Sequence, residues 1–202
     1  MIRKLYISFA LYIVFLITTA TMCHCGPFPD GLEVTDISVS VCELDYSTPG
    51  NYAGCQDIAD TVAYERFAIN LIPETRAYYS ARYLQGNMSA YACSAPMPVI
   101  TDKIDSMYVF SNRDFDTRHP AGADLKDLFD AIVFSSSDTR GDYRLALTEF
   151  LADKPVFPDN LYLVLTSPPD STAGFSFTIK LFTEGQENRS FEIITDTVVI
   201  KN

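Results

Sequence analysis

The chain has 202 residues, of which 48% are hydrophobic and 20% charged, the balance of an ordinary globular protein of one domain or a tight pair. Lys plus Arg number 15 against 26 Asp plus Glu, a net charge of -11, and no basic run is present to release phosphate counterions, so nucleic acid is excluded as an expected partner. With 9 Gly, 11 Pro and no low-complexity tract, collagen-like and wholly disordered classes are excluded as well.

In chain order, Arg3 and Lys4 precede an apolar run over residues 5–17 broken only by Ser8, and Thr18, Thr19, Ala20 and Thr21 follow. A basic start, an apolar centre and small residues are the layout of a secretory signal peptide. The run is short of the ~20 residues that span a bilayer. Cys23 stands where a bacterial lipoprotein signal places the thiol that is diacylated. Lipidation at Cys23 is therefore expected ahead of simple secretion, although Met22 is large for the preceding position and Thr18-Thr19-Ala20 resembles an ordinary cleavage site. The division that follows is a signal and attachment segment at 1–25, a linker at 26–33 and one domain at 34–202.

Export places the remaining cysteines in an oxidising compartment, where disulfides are the default. Cys42, Cys55 and Cys93 are the disulfide candidates, and at least one bond is expected between two of them. Cys23-His24-Cys25 is followed by no second pair with metal-ligand spacing, so no metal and no cofactor is expected.

The linker, Gly-Pro-Phe-Pro-Asp-Gly at 26–31, holds two prolines that oppose helix and ladder alike. A strand is predicted over residues 33–44, where Ile37, Val39 and Val41 alternate with Ser38, Ser40 and Cys42. A second is predicted over 62–72, ended by Pro73. Residues 76–84 fit a helical turn or a strand, and 88–93 an extended segment. Residues 103–111 alternate, with Ile104, Tyr108 and Phe110 assigned to one face. Asp124, with Leu125, Leu128 and Phe129 at helical spacing, predicts a short helix. Residues 131–135 read as extended, and Leu147, Phe150 and Leu151 predict a second short helix before Pro155. Further strands are predicted at 160–166, at 174–183 through Phe175, Phe177, Ile179 and Leu181, and at 190–200, the last two forming a hairpin across the polar loop 184–189. About seven strands with short helical insertions predict an all-β, immunoglobulin-like sandwich.

Several of these segments carry a resemblance. Cys23-His24-Cys25, Val41-Cys42, His119-Pro120-Ala121-Gly122-Ala123-Asp124-Leu125-Lys126-Asp127-Leu128-Phe129, and Ser167-Pro168-Pro169-Asp170 with Phe175-Ser176-Phe177-Thr178 resemble an uncharacterised family of small exported lipoproteins from Bacteroidota. The resemblance implies location on the cell envelope and a domain of unknown function. It implies no reaction.

Chemistry is sparse. A His-dependent hydrolase needs a positioned imidazole, and apart from His24 the chain has only His119, expected at the surface of a polar loop. Gly-x-Ser-x-Gly, His-Glu-x-x-His and phosphate-cradling loops are absent from the sequence. Asp138-Thr139-Arg140-Gly141-Asp142 is an incomplete match to a calcium loop. The tyrosines are denser than chance between residues 46 and 91, and Tyr supplies contact area at low entropy cost. Tyr78, Tyr79, Tyr83 and Tyr91 are the candidate binding residues. The expected function is a non-catalytic cell-envelope module that binds an envelope protein or glycan and meets the membrane only through a lipid anchor, at the outer membrane or cell surface, or secreted or periplasmic if Cys23 is free. The alternative is an envelope-associated hydrolase using paired carboxylates.

Overall fold

A computed structural model of the chain describes residues 6, 9, 11–14, 29–45, 53–58, 60–79, 97–133 and 143–202. The chain divides into two compact units, Met1–Asp30 with Tyr78–Pro98, and Gly31–Ala77 with Val99–Asn202. In the first unit Tyr6, Phe9 and residues 11–14 are helical, with exposed side chains. Among the described residues no helix is long and apolar enough to cross a membrane.

The second unit is an all-β sandwich. Its first sheet is built from β1 (Gly31–Asp45), β2 (Ala53–Asp57), β4 (Phe67–Tyr78), β6 (Phe129–Val133), β7 (Tyr143–Ala146) and β8 (Leu161–Leu165), in the order β2-β1-β4-β8-β6-β7. Facing it, β5 (Lys103–Ser111), β10 (Phe177–Glu184) and β11 (Arg189–Ile194) pair antiparallel in the order β11-β10-β5. A small third sheet, β3-β12-β9, joins β3 (Thr61–Ala63), β12 (Val198–Lys201) and β9 (Ala173–Phe175), with β3 and β12 parallel. The inner faces interlock through aromatic rings. Phe177 of β10 packs 5.5 Å from Phe67 of β4 and 5.9 Å, edge to face, from Phe129 of β6. Such geometries add to the area that the rings bury.

Among the described residues the predicted strands are present, but several are divided; the extended segment expected at 88–93, and residues 80–84 and 134–135, lie outside the described residues. The stretch expected at 174–183 breaks at Ser176 and the one at 190–200 breaks at residues 195–197, opposite each other. Thr195 N–H donates to Phe177 O, and Phe177 N–H donates to the buried Thr195 hydroxyl, both at 2.9 Å. One two-stranded ribbon thereby leaves the β5 sheet and enters the β3 sheet without stranding a backbone donor. The second predicted strand is interrupted by a 3-10 turn, Tyr64–Arg66. Its end is also displaced, because β4 continues through Pro73 to Tyr78. β8 pairs with β4 only at residues 68–71, so Pro73 lies where one side of the strand is open, a place that tolerates the missing N–H. The helix expected after Asp124 is a single 3-10 turn, Lys126–Leu128, because Phe129 already belongs to β6. The helix expected near 145–151 is Leu147–Ala152.

β1 begins inside the expected linker. Leu32 N–H donates to Val99 O at 2.9 Å and Leu32 O accepts from Thr101 N–H at 3.0 Å, so the residues after Pro29 are held in a ladder. Both faces of the six-stranded sheet bury apolar groups: Ile69, Leu163 and Ala131 face the main core, while Ala68, Val164 and Ile132 form a second cluster with Cys42 and Leu44. That two-sided burial explains the near-continuous apolar runs of β4, β6 and β8.

Cys42 and Cys55 form a disulfide with Cα atoms 5.3 Å apart, joining β1 to the edge strand β2. Cys93 lies outside the described residues. A Cys42→Ser, Cys55→Ser double variant is expected to lose about 3 kcal/mol, the loop-closure entropy for this separation. Urea unfolding of the variant against the oxidised parent checks it, and a loss below about 1 kcal/mol contradicts it.

Candidate functional site

At the turn of the β10–β11 hairpin the second unit opens a cleft of about 500 Å³, lined by Asp105, Lys154, Phe182, Thr183, Glu184, Asn188, Arg189 and Ser190. Two local departures from regular structure meet there, and a third lies buried behind them. The first lies in β5. Phe182 pairs with Ser106 but Thr183 pairs with Ile104, so Asp105 is an extra residue, a β-bulge. Bulges re-aim the side chain that they carry, and this one turns Asp105 into the cleft. The bulge also reverses the alternation of β5. Met107 and Val109 are buried and Tyr108 is exposed, which corrects the grouping of Tyr108 and Phe110 with the buried Ile104.

The second departure is Lys154, whose φ of 45° lies in the left-handed region. It follows the helix Leu147–Ala152, where its N–H donates to Leu151 O at 3.1 Å. Glycine usually occupies such a position, since other residues meet steric strain there. In this chain the lysine ammonium reaches Asp105 at 2.5 Å and Glu184 at 3.4 Å. The hydrogen bond and charge of Asp105, and then those of Glu184, hold the ammonium above its ordinary pKa.

The third departure is a pair of buried polar atoms without partners. Thr183 is only 3% exposed, and neither its hydroxyl nor Asp102 Oδ1 has a hydrogen-bond partner. Buried hydroxyls are usually paired, and an unpaired one marks a place of interest.

The wall of the cleft is fixed from behind. Asp102 Oδ2 accepts from Val34 N–H at 2.8 Å, and Arg189 donates to Val34 O at 3.1 Å. The open side of β1 is thus satisfied by two side chains. Arg189 also pairs with Glu187 at 2.8 Å and lies 3.5 Å from the buried Glu33, which Arg76 holds with a 2.9 Å bond from Nε. Gly185 lies directly against the Asp102 carboxylate. Loop 184–189 is therefore seated on a charged network, a preorganised support for side chains that meet a ligand.

The described candidates from the sequence are not among the residues that line the cleft. Tyr78 is half-buried at the end of β4 and Tyr79 is 56% exposed; Tyr83, Tyr91, Cys23 and residues 138–142 lie outside the described residues. His119, expected at the surface, is 9% exposed. Its Nδ1 is 2.9 Å from both carboxylate oxygens of Asp116, which also accepts from the N–H groups of Arg118 at 2.7 Å and His119 at 2.9 Å. Burial acts to raise the Asp116 pKa, but these hydrogen bonds and the imidazole together hold it below the ordinary carboxylate value. The imidazole thus closes a tight loop, which is why a polar histidine is buried. Among the described residues no group of three or more His, Cys, Asp and Glu could hold a metal.

The cleft was not legible in sequence, because a bulge and a positive φ leave no periodic signature; Tyr108, Phe110 and Phe182 offered the nearest signal. Tyr108 lies 6.4 Å from each of the two phenylalanine rings, which places an aromatic patch beside the cleft.

No family model matches the chain, and no curated protein matches it. A solved structure named BspA_C_mut is similar at 16% identity and a TM-score of 0.27, with 82% of this chain and 47% of that one covered. The chain spans about half the length of that structure.

Proposed function

We propose that the protein is an exported, non-catalytic module of the cell envelope that binds its partner in the open cleft at the β10–β11 turn. The observation that carries this reading is Lys154, held at positive φ with its ammonium bridging Asp105 and Glu184. Strained residues that the surroundings over-determine cluster at functional sites. Export is supported by the leader-like residues 3–21 and by the Cys42–Cys55 bond, which belongs to an oxidising compartment.

The alternative hydrolase has Asp105 and Glu184 as its carboxylate pair. A carboxylic-acid catalyst must carry a proton when it meets the leaving group, and enzymes obtain this by burying the acid. Here the side chains of Asp105 and Glu184 are 42% and 59% exposed and both are tied to one cation, which favours binding over acid catalysis.

Two measurements on the protein from its native host test the reading. Mass spectrometry should find the mature N-terminus within residues 20–25, with a diacylated Cys23 if the protein is anchored; an intact residue 1–17 segment overturns export. Assays with nitrophenyl glycosides and esters should give the same background for the parent and for Asp105→Asn, Glu184→Gln. Turnover that disappears in that variant overturns the non-catalytic assignment.

A further inference from the structure

We infer that the free edge of β11 accepts an added β-strand, an extended segment of a partner protein in which apolar and basic side chains alternate. Only Arg189 and Ser190, at the start of β11, also line the cleft. Strand addition and cleft binding are therefore separate events.

The sheet β11-β10-β5 has two edges, and the chain closes one of them. Along β5 the groups that point away from β10 are taken up: Ile104 N–H donates to Pro155 O at 2.8 Å, Val109 O accepts from Leu125 N–H at 2.7 Å, and Ser111 O accepts from Gly122 N–H at 3.1 Å. On β11 the ladder fixes which groups face outward. Thr195 N–H donates to Phe177 O, and the register runs without a shift from Thr178 opposite Ile194 to Thr183 opposite Arg189. Bonded and unbonded pairs alternate along such a ladder. Ser190, Glu192 and Ile194 therefore direct their N–H and C=O away from β10, and among the described residues no backbone group of another segment bonds to them. Where β1 comes near, Val34 O accepts from the Arg189 side chain instead. Edges are commonly guarded by proline, a bulge or free charge. β11 has no proline and no bulge, and its two charges, Arg189 and Glu192, are tied within the chain to Glu187 and Lys180.

The side chains specify the incoming strand. Phe191 and Ile193 pack against the core yet stay half-buried, and Ile194 is 64% exposed. Apolar residues beside them cover what remains, since neighbours on one face of a sheet interact directly. The charge along this edge is acidic: Glu187, Glu192 and Asp196 are exposed, whereas the Arg189 side chain is only 20% exposed. A second copy of the chain, at a net charge of -11, adds repulsion and in the centred antiparallel register sets Glu192 opposite itself. A basic segment meets attraction. Addition of a strand to an open edge draws its affinity from main-chain hydrogen bonds and its specificity from alternate side chains, and β11 offers both.

The test is a titration of the full chain with two synthetic hexapeptides, one alternating valine with lysine and the other valine with glutamate, followed by ¹H–¹⁵N NMR. The lysine peptide is expected to shift the amides of Ser190, Glu192 and Ile194 and to slow their hydrogen exchange, and to bind about tenfold more tightly than the glutamate peptide. Glu192→Pro removes an outward N–H that β10 does not use, a substitution that an edge strand tolerates, and should weaken the lysine peptide about tenfold. Glu192→Lys serves as the second variant if the proline disturbs the fold, and should narrow the preference between the peptides to below about threefold. Silence of the three amides toward both peptides overturns the strand site, as does binding that neither variant changes. Equal affinity for the two peptides overturns the basic partner. Shifts of the same amides on concentrating the chain alone, with a dimer in sedimentation, make a second copy the occupant and overturn the partner strand.

Discussion

Replacing Phe177 with Ala is expected to destabilise the protein by about 3–5 kcal/mol, the range for emptying an aromatic site in a core that relaxes only partly. Phe177 is fully buried at the point where the two larger sheets meet. Its ring contacts Phe67 and Phe129 of the six-stranded sheet and stacks 6.3 Å from Phe175 across the break at Ser176. One truncation therefore removes inter-sheet packing and the support of the strand corner together. Against a total stability of ~5–15 kcal/mol for a typical domain, this is a large fraction. Phe182→Ala is the matched control, because that ring is on the outer face and its loss should cost under about 1 kcal/mol. Urea midpoints at unchanged slope measure both. If the two variants differ by less than about 1 kcal/mol, the central place given to Phe177 is wrong.

The second large effect concerns Gly185. A methyl group there would overlap Cγ and Oδ1 of Asp102 and stand 3.3 Å from its Cβ. That carboxylate is 1% exposed and cannot swing aside freely, since its other oxygen holds Val34 N–H. Gly185→Ala must either break this buried bond, at about 1–3 kcal/mol, or lift loop 184–189 from its seat. A loss of about 2–3 kcal/mol is expected, with weaker binding in the cleft. The argument has an internal control in Asp102→Ala, which loses the Val34 bond by itself but clears the space. In that background Gly185→Ala should cost less than about 0.5 kcal/mol, a coupling that only neighbouring residues show. Additive losses would place the Gly185 effect somewhere other than Asp102.

The sequence by itself determined the features that repeat locally. The alternation of Phe175, Phe177, Ile179 and Leu181 identified one face of a strand, and those residues are buried. The polar loop before Arg189 identified the β10–β11 hairpin, and the spacing of Leu147 and Phe150 identified a short helix with both side chains buried. The cysteines pointed to at least one bond among Cys42, Cys55 and Cys93 without choosing the pair, and the structure joins Cys42 to Cys55. These features were legible because a period of two or of 3.6 residues is imposed by the backbone within a few residues of chain.

Only the tertiary structure decided where the periods fail. The bulge at Asp105 exists because β10 pairs with β5 out of step at Thr183, a relation between residues almost eighty positions apart. It moved Tyr108 to the outer face and Asp105 to the cleft. The breaks at Ser176 and at residues 195–197 likewise depend on each other across the hairpin, and Pro73 stays within β4 because β8 stops pairing before it. His119 is buried because Asp116 folds back onto it. The cleft draws on β5, β10, β11 and the residues after a helix, and its cation adopts a backbone angle that its side-chain type rarely takes. Pairing register and charge partnership are properties of distant segments brought together, and a one-residue shift in register leaves composition and local pattern unchanged while it reverses which side chains face solvent.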